Sequence, residues 1–87
     1  MSIYVYILKC DDGLFYVGLT SDLDRRLIQH NTGYFKGSFT KSRLPVKLVY
    51  WEKHSDKYKA ALREKEIKNW RREKKIKLIK SFTSSLS

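Results

Sequence analysis

Cysteine is almost missing from this chain: Cys10 is the only one among 87 residues. An intramolecular disulfide is therefore excluded, and a reducing compartment is expected. With His30 and His54 as the only histidines, a four-ligand structural zinc site is excluded as well. Long apolar runs are also lacking. The opening MSIYVYILKC has one short apolar run and no basic leader region, so it reads as neither a signal peptide nor a membrane helix. The expected location is the cytoplasm. There is no internal repeat and no linker, and the length allows one domain at most. Acidic residues are scarce: 9 Asp and Glu stand against 19 Lys and Arg, a net charge of +10. In so small a chain that excess calls for an anionic partner, and nucleic acid fits better than an acidic membrane surface.

What is present falls into short, well-punctuated elements. IYVYIL, residues 3–8, is apolar or aromatic at every position, as in a central strand buried on both faces. Asp11-Asp12-Gly13 marks a turn, and LFYVGLT, residues 14–20, returns as a second strand. Ser21 or Asp22 caps a helix running to about His30, which Asn31-Thr32-Gly33 stops. Residues 31–45 make a long Gly-, Ser-, Thr- and Lys-containing loop ending at Pro45; loops of that length are functional or mobile. VKLVYWE, residues 46–52, is a third strand, and residues 56–69 and 71–80 read as two helices. The expected fold is a small α/β (α+β) domain over 1–80, a three-stranded antiparallel sheet with packed helices in the order β-β-α-β-α-α. Residues 81–87, SFTSSLS, read as a polar tail that frays.

The hairpin register decides whether Tyr6 and Tyr16 share a face. A three-residue loop with Gly13 in the left-handed conformation of a bulge pairs Cys10 with Leu14, Leu8 with Tyr16, and Tyr6 with Gly18. Tyr4, Tyr6, Tyr16 and Gly18 then lie on one face, with open space above Gly18 for a ligand. A two-residue loop of Asp12-Gly13 puts the two tyrosines on opposite faces instead. Both loops suit the residues, and tyrosine is in any case a good strand former.

On the following helix, Leu23, Arg26, Leu27 and His30 have the i, i+3, i+4, i+7 spacing of an inward stripe. Leu23 and Leu27 fit the core; Arg26 and His30 sit one turn apart on its flank, whereas Arg25 points to solvent. In the next helix Glu64 interrupts an inward stripe of Ala60 and Ile67. A carboxylate placed there needs a partner, either a cation or a metal. The bland alternative is a surface ion pair with Lys57 or Lys68.

Val5-Tyr6-Ile7, Tyr16-Val17-Gly18, Arg26 ten residues after Tyr16, then His30, then Glu64 on a later helix: this ordered set resembles the GIY-YIG nuclease superfamily. The likeness covers about residues 3–80. It is closest in kind to small single-domain bacterial members related to the nuclease domain of the UvrC excision-repair protein and to structure-specific endonucleases. Two departures stand out. Tyr4 occupies the place of the first motif's glycine, and the late asparagine common in the family has only Asn69 as a candidate. The resemblance implies a metal-dependent endonuclease acting in DNA repair, recombination or processing. Glu64 would hold one divalent ion, Mg²⁺ or Mn²⁺, which need few protein ligands. Arg26 would contact the scissile phosphate, Tyr16 would deprotonate the attacking water, Tyr6 would hydrogen-bond the nucleophile or a phosphate oxygen, and His30 would assist as a base.

Eleven basic residues and four acidic ones fall in 56–80, an excess of seven positive charges. Lys68, Arg71 and Arg72 are the candidate backbone contacts there. In the 31–45 loop, Tyr34, Phe35 and Phe39 alternate with Lys36, Lys41 and Arg43, a mixture that can stack bases and hold phosphates. Gly18, Lys36, Lys41, Arg43, Lys68, Arg71 and Arg72 are thus the candidate substrate-binding residues. DNA is favoured over RNA, and single-strand-directed or structure-specific cutting over long-site recognition. The competing readings are a nucleic-acid-binding module without catalysis and a small basic protein acting through protein contacts.

Overall fold

The computed structural model describes residues 2–34 and 40–85, together with the backbone but not the side chain of Leu86. The expected elements appear in the expected order: β1 (Ile3–Lys9), β2 (Phe15–Thr20), α1 (Leu23–Asn31), a short 3-10 turn at Lys41–Arg43, β3 (Lys47–His54), α2 (Lys57–Lys68) and α3 (Arg72–Leu86). Both strand pairings are antiparallel and the sheet order is β2-β1-β3. β1 is central, as its unbroken apolar run implies. No helix among the described residues is long and apolar enough to cross a membrane.

The hairpin takes the three-residue loop. Gly13 has φ +85°, a conformation that suits glycine. Its amide donates to the Cys10 carbonyl at 2.9 Å, and the Cys10 amide donates to the Leu14 carbonyl at 2.8 Å. The register that follows pairs Leu8 with Tyr16 and Tyr6 with Gly18.

Period-two alternation in β1 splits the core in two. Val5 and Ile7 join Val17 and Tyr50 beneath Ala60 and Ile67 of α2, with Leu78, Ile79 and Phe82 of α3 packed alongside. Tyr6, Leu8 and Cys10 face the other way with Val46, under Leu23 and Leu27 of α1. The sheet is therefore covered on both faces. Burial pushes the Cys10 thiol up, with Asp12 adding to the effect, so Cys10 behaves as a small core hydrophobe.

Asp22 caps α1, its carboxylate accepting from the Arg25 amide at 3.1 Å. At the other end, Gly33 takes φ +73°. Asn31, read in the sequence only as part of a helix stop, does more: its amide donates to the Val46 carbonyl at 3.1 Å and its oxygen accepts from the Val46 amide at 2.8 Å. This paired clasp holds the start of β3 against the end of α1. A second polar junction ties β3 to α2. Glu52 accepts from Tyr50, from Arg63 Nε at 3.1 and 3.2 Å, and pairs with His54 at 2.5 Å.

Helix α3 differs from expectation. It does not end at Lys80 but continues through residues 81–86. Phe82 is the reason: its ring packs edge-on against Tyr50 and Trp51, with centroids 5.2 and 5.8 Å away. One aromatic anchor turns a polar-looking segment into the last turns of a packed helix.

Candidate active site

The register brings Tyr6 and Tyr16 onto one face, their ring centroids 6.3 Å apart. Helix α1 then lowers His30 onto them. The His30 ring lies 5.1 Å from that of Tyr16 and 6.4 Å from that of Tyr6. Its Nε2 is 3.3 Å from the Tyr6 hydroxyl, and its Nδ1 is 2.7 Å from Thr40 Oγ1. His30 is 2% exposed and Thr40 1%. Arg26, one turn earlier on α1 and half-buried, brings its positive charge to the Tyr6 hydroxyl.

The electrostatics follow from burial. Desolvation and the neighbouring Tyr16 push Tyr6 well above the ordinary phenol range, with Glu64 adding to the rise and Arg26 opposing it. Tyr6 therefore stays protonated near neutral pH. Burial, then the Arg26 charge, lowers the His30 pKa from its usual value, so the imidazole stays neutral. With Tyr6 protonated and the imidazole neutral, we assign the Tyr6 proton to His30 Nε2 and the Nδ1 proton to Thr40. That assignment gives every group in the buried chain a partner.

Glu64 comes from the opposite side of the sheet, on α2, yet its charge is felt at Tyr6. Its side chain is 22% exposed, and its ion pair with Lys68, at 3.7 Å, engages a lysine that is 53% exposed. The expected Lys68 pair is present, but a pair so long and wet is weak. Among the described residues no group of three His, Cys, Asp or Glu side chains converges to enclose a metal. A single half-buried carboxylate fits a hard divalent ion whose remaining ligands are water and substrate oxygens.

Tyr6, Tyr16, Arg26, His30 and Glu64 are thus brought together. Other candidates are placed differently. The open space expected over Gly18 is filled by Tyr6: a Cβ on Gly18 would lie 2.4 Å from Cζ and from the hydroxyl oxygen of that ring. The glycine serves the tyrosine, whose ring needs the room. Arg43 pairs with Asp12 at 3.0 Å, and Arg72 donates to the Gly13 carbonyl at 2.8 Å while lying 4.5 Å from the centre of the Phe15 ring. Both guanidinium groups brace the β1–β2 loop. Lys41, Lys68 and Arg71 are exposed, and Asn69 caps the end of α2 at the surface. Tyr34 is exposed; Phe35, Lys36 and Phe39 lie outside the described residues.

Thr40 is the site residue that sequence reasoning did not single out. It lies in the long loop, ten positions from the histidine it bonds. The Asn31 clasp and the tie between Asp11 and Arg43, whose amide donates to the Thr40 carbonyl at 2.9 Å, fix where that loop re-enters the fold.

Residues 2–77 match the family model described as the GIY-YIG catalytic domain. The chain belongs to the GIY-YIG family. Among curated relatives, a UPF0213 protein of Staphylococcus saprophyticus is 49% identical over 76 residues, covering 87% of this chain and 92% of that one. A UPF0213 protein of Staphylococcus aureus is 47% identical over 77 residues, covering 88% and 93%. Two solution NMR structures are similar. The UPF0213 protein of Bacillus halodurans has TM-score 0.60 at 40% identity, covering 92% of this chain and 84% of that one. A protein of E. faecalis has TM-score 0.65 at 35% identity, covering 95% and 88%. The match to these relatives and structures runs over most of each one's length.

Proposed function

We propose that the protein is an endonuclease that hydrolyses phosphodiester bonds in DNA, cutting single-stranded or branched substrates with the help of one divalent metal ion. The observation that carries the proposal is the packing of Tyr6, Tyr16 and His30 against one another, with the Arg26 and Glu64 charges both felt at Tyr6. A fold kept only for binding has no need to bury a neutral imidazole against a tyrosine and aim an arginine at the same hydroxyl.

The two tyrosines differ in environment, and that separates their roles. Tyr6, buried and held protonated, is a hydrogen-bond donor and positioning group. Tyr16 is half-buried at the sheet edge and reaches the surface beside Val17 and Lys68, so it is the phenol placed to take a proton from water. His30 does not meet substrate. Both its ring nitrogens are engaged, by Tyr6 and Thr40, so it acts through Tyr6. Arg26 supplies a fixed positive charge and a planar pair of donors for the phosphate oxygens. Glu64 would hold the divalent ion, Mg²⁺ or Mn²⁺, which when bound offsets negative charge building on the phosphoryl oxygens.

The test is incubation of purified protein with labelled single-stranded, branched and duplex DNA, with Mg²⁺, with Mn²⁺ and with EDTA. Cleavage should require the metal. Glu64→Gln and Arg26→Ala should each lower it by about 10²–10³-fold, the loss typical when a group that stabilises transition-state charge is removed, while the far-UV spectrum is unchanged. Metal-independent binding without any cleavage would make the protein a binding module instead.

A further inference from the structure

A recess beside the Tyr6 cluster has no role in the nuclease reading so far. It lies where β2 runs into α1 and is lined by Thr20, Ser21, Asp22, Arg25, Arg26 and Gln29. Its volume is about 160 Å³. Arg26 belongs both to this recess and to the Tyr6 cluster, so the two are contiguous.

We infer that this recess is a subsite for a phosphate of the nucleic-acid strand, next to the phosphate that Arg26 contacts, with Arg25 as its principal ligand and Gln29 as a supporting donor. The inference rests on the nuclease reading for the identity of the strand. Three observations carry it. First, the charge balance favours an anion. The recess holds two guanidinium groups and one carboxylate, and that carboxylate, Asp22, is already engaged as the helix cap by the Arg25 amide at 3.1 Å. Second, Arg25 is available. Its side chain is exposed, and among the described residues its guanidinium has neither an ion pair nor a hydrogen bond. Arg43, Arg63 and Arg72, by contrast, are all engaged with protein groups. Third, the geometry is linear. β2 is an edge strand, and a second surface recess flanks its first half, lined by Phe15, Tyr16, Val17, Lys68 and Lys75. From Tyr16 to Thr20 is about 13 Å of strand. One recess with two lysines and Tyr16 therefore borders the start of this sheet edge and the recess with Arg25 and Arg26 borders its end, so a nucleic-acid strand following the edge would pass both. Arg25, which the helix spacing alone sends to solvent, becomes the far contact of a bound strand.

The experiment is fluorescence anisotropy of a labelled single-stranded DNA of about ten nucleotides, within the usual site size, titrated with protein in EDTA over a range of NaCl concentrations. EDTA prevents metal-dependent cutting, so the readout is binding alone. Each phosphate contact on a single strand adds about 0.7 to the magnitude of the slope of log K against log salt. Arg25→Ala should lower that magnitude by about 0.7. Lys47→Ala, which removes the same charge from the strand at the opposite edge of the sheet, should leave it unchanged. Arg25→Lys should keep the slope. An unchanged slope for Arg25→Ala, an equal fall for Lys47→Ala, or no binding by the wild type would each overturn the subsite. Failure of the nuclease reading shows separately, as binding with a normal Arg25 effect and no cleavage when Mg²⁺ is restored.

Discussion

Gly18 shows how a single missing side chain builds a site. Position 18 faces Tyr6 across the hairpin, and the phenol lies where a Cβ would be, 2.4 Å from Cζ and from the oxygen. Real Cβ atoms do not come so close, so a methyl group must displace the ring. Displacing the ring breaks the 3.3 Å contact with His30 and moves the hydroxyl away from Arg26. Gly18→Ala should therefore cost about 1–3 kcal/mol, the usual penalty of overpacking, or roughly 4–8 °C of Tm per kcal/mol in a domain of this size. It should also reduce any cleavage more than that loss of stability accounts for, because the variant remains folded at 25 °C. Thermal unfolding followed by circular dichroism checks the first part; an unchanged Tm would show that the ring has room to move. The need for a glycine here was readable from the sequence, through the register, but its purpose was not. The sequence suggests room for a ligand, whereas the space is taken by the protein's own tyrosine.

At the scale of elements, local signals were the legible ones. The Asp22 cap, the Gly33 stop and the left-handed Gly13 are short-range devices, and α1 and the hairpin follow from them closely. The shared face of Tyr6 and Tyr16 needed only the choice between two turns. Contacts made across the fold were hidden. Thr40 and Asn31 look like ordinary loop and helix-end residues until Asn31 is seen bridging to Val46 and Thr40 bonding His30. The end of α3 was hidden for the same reason. Among the described side chains of SFTSSLS the apolar anchor is Phe82, whose partners Tyr50 and Trp51 lie some thirty positions earlier on β3. Phe82→Ala should remove that anchor and let the last turns fray, at about 1–2 kcal/mol, less than the ~3–5 kcal/mol of a fully buried phenylalanine because Phe82 is only half-buried. Amide hydrogen exchange should show residues 81–85 losing protection while β1 keeps it. Full protection of that segment in the variant would mean that the helix end is held by something other than the ring.

For the whole molecule, the same burial that sets up the site sets the response of the fold to acid. His30 is buried and near Arg26, and burial first, then that charge, hold its pKa below the ordinary value. The unfolded chain binds a proton at about pH 6.5 that the folded chain refuses. The stability His30 confers is therefore complete above about pH 6.5 and is lost as pH falls towards its folded value. Glu52 acts in the same direction at lower pH. Burial raises its pKa, but hydrogen bonds from Tyr50, His54 and Arg63 together with the Arg63 charge outweigh that, and the net shift is downward. Its contribution is present above the ordinary glutamate value of about 4.3 and fades below it. Protonation also adds charge to a chain that already carries +10, so self-repulsion reinforces both losses. Urea unfolding between pH 8 and about pH 2.5 should show stability falling in two stages, the first beginning near pH 6.5 and the second below about pH 4.3. His30→Gln, which cannot titrate, should start lower and lack the first stage while keeping the second. Glu52→Gln should do the reverse. A first stage that survives in His30→Gln would place the titrating group elsewhere, and with it the claim that the neutral imidazole beneath Tyr6 is held neutral by the fold.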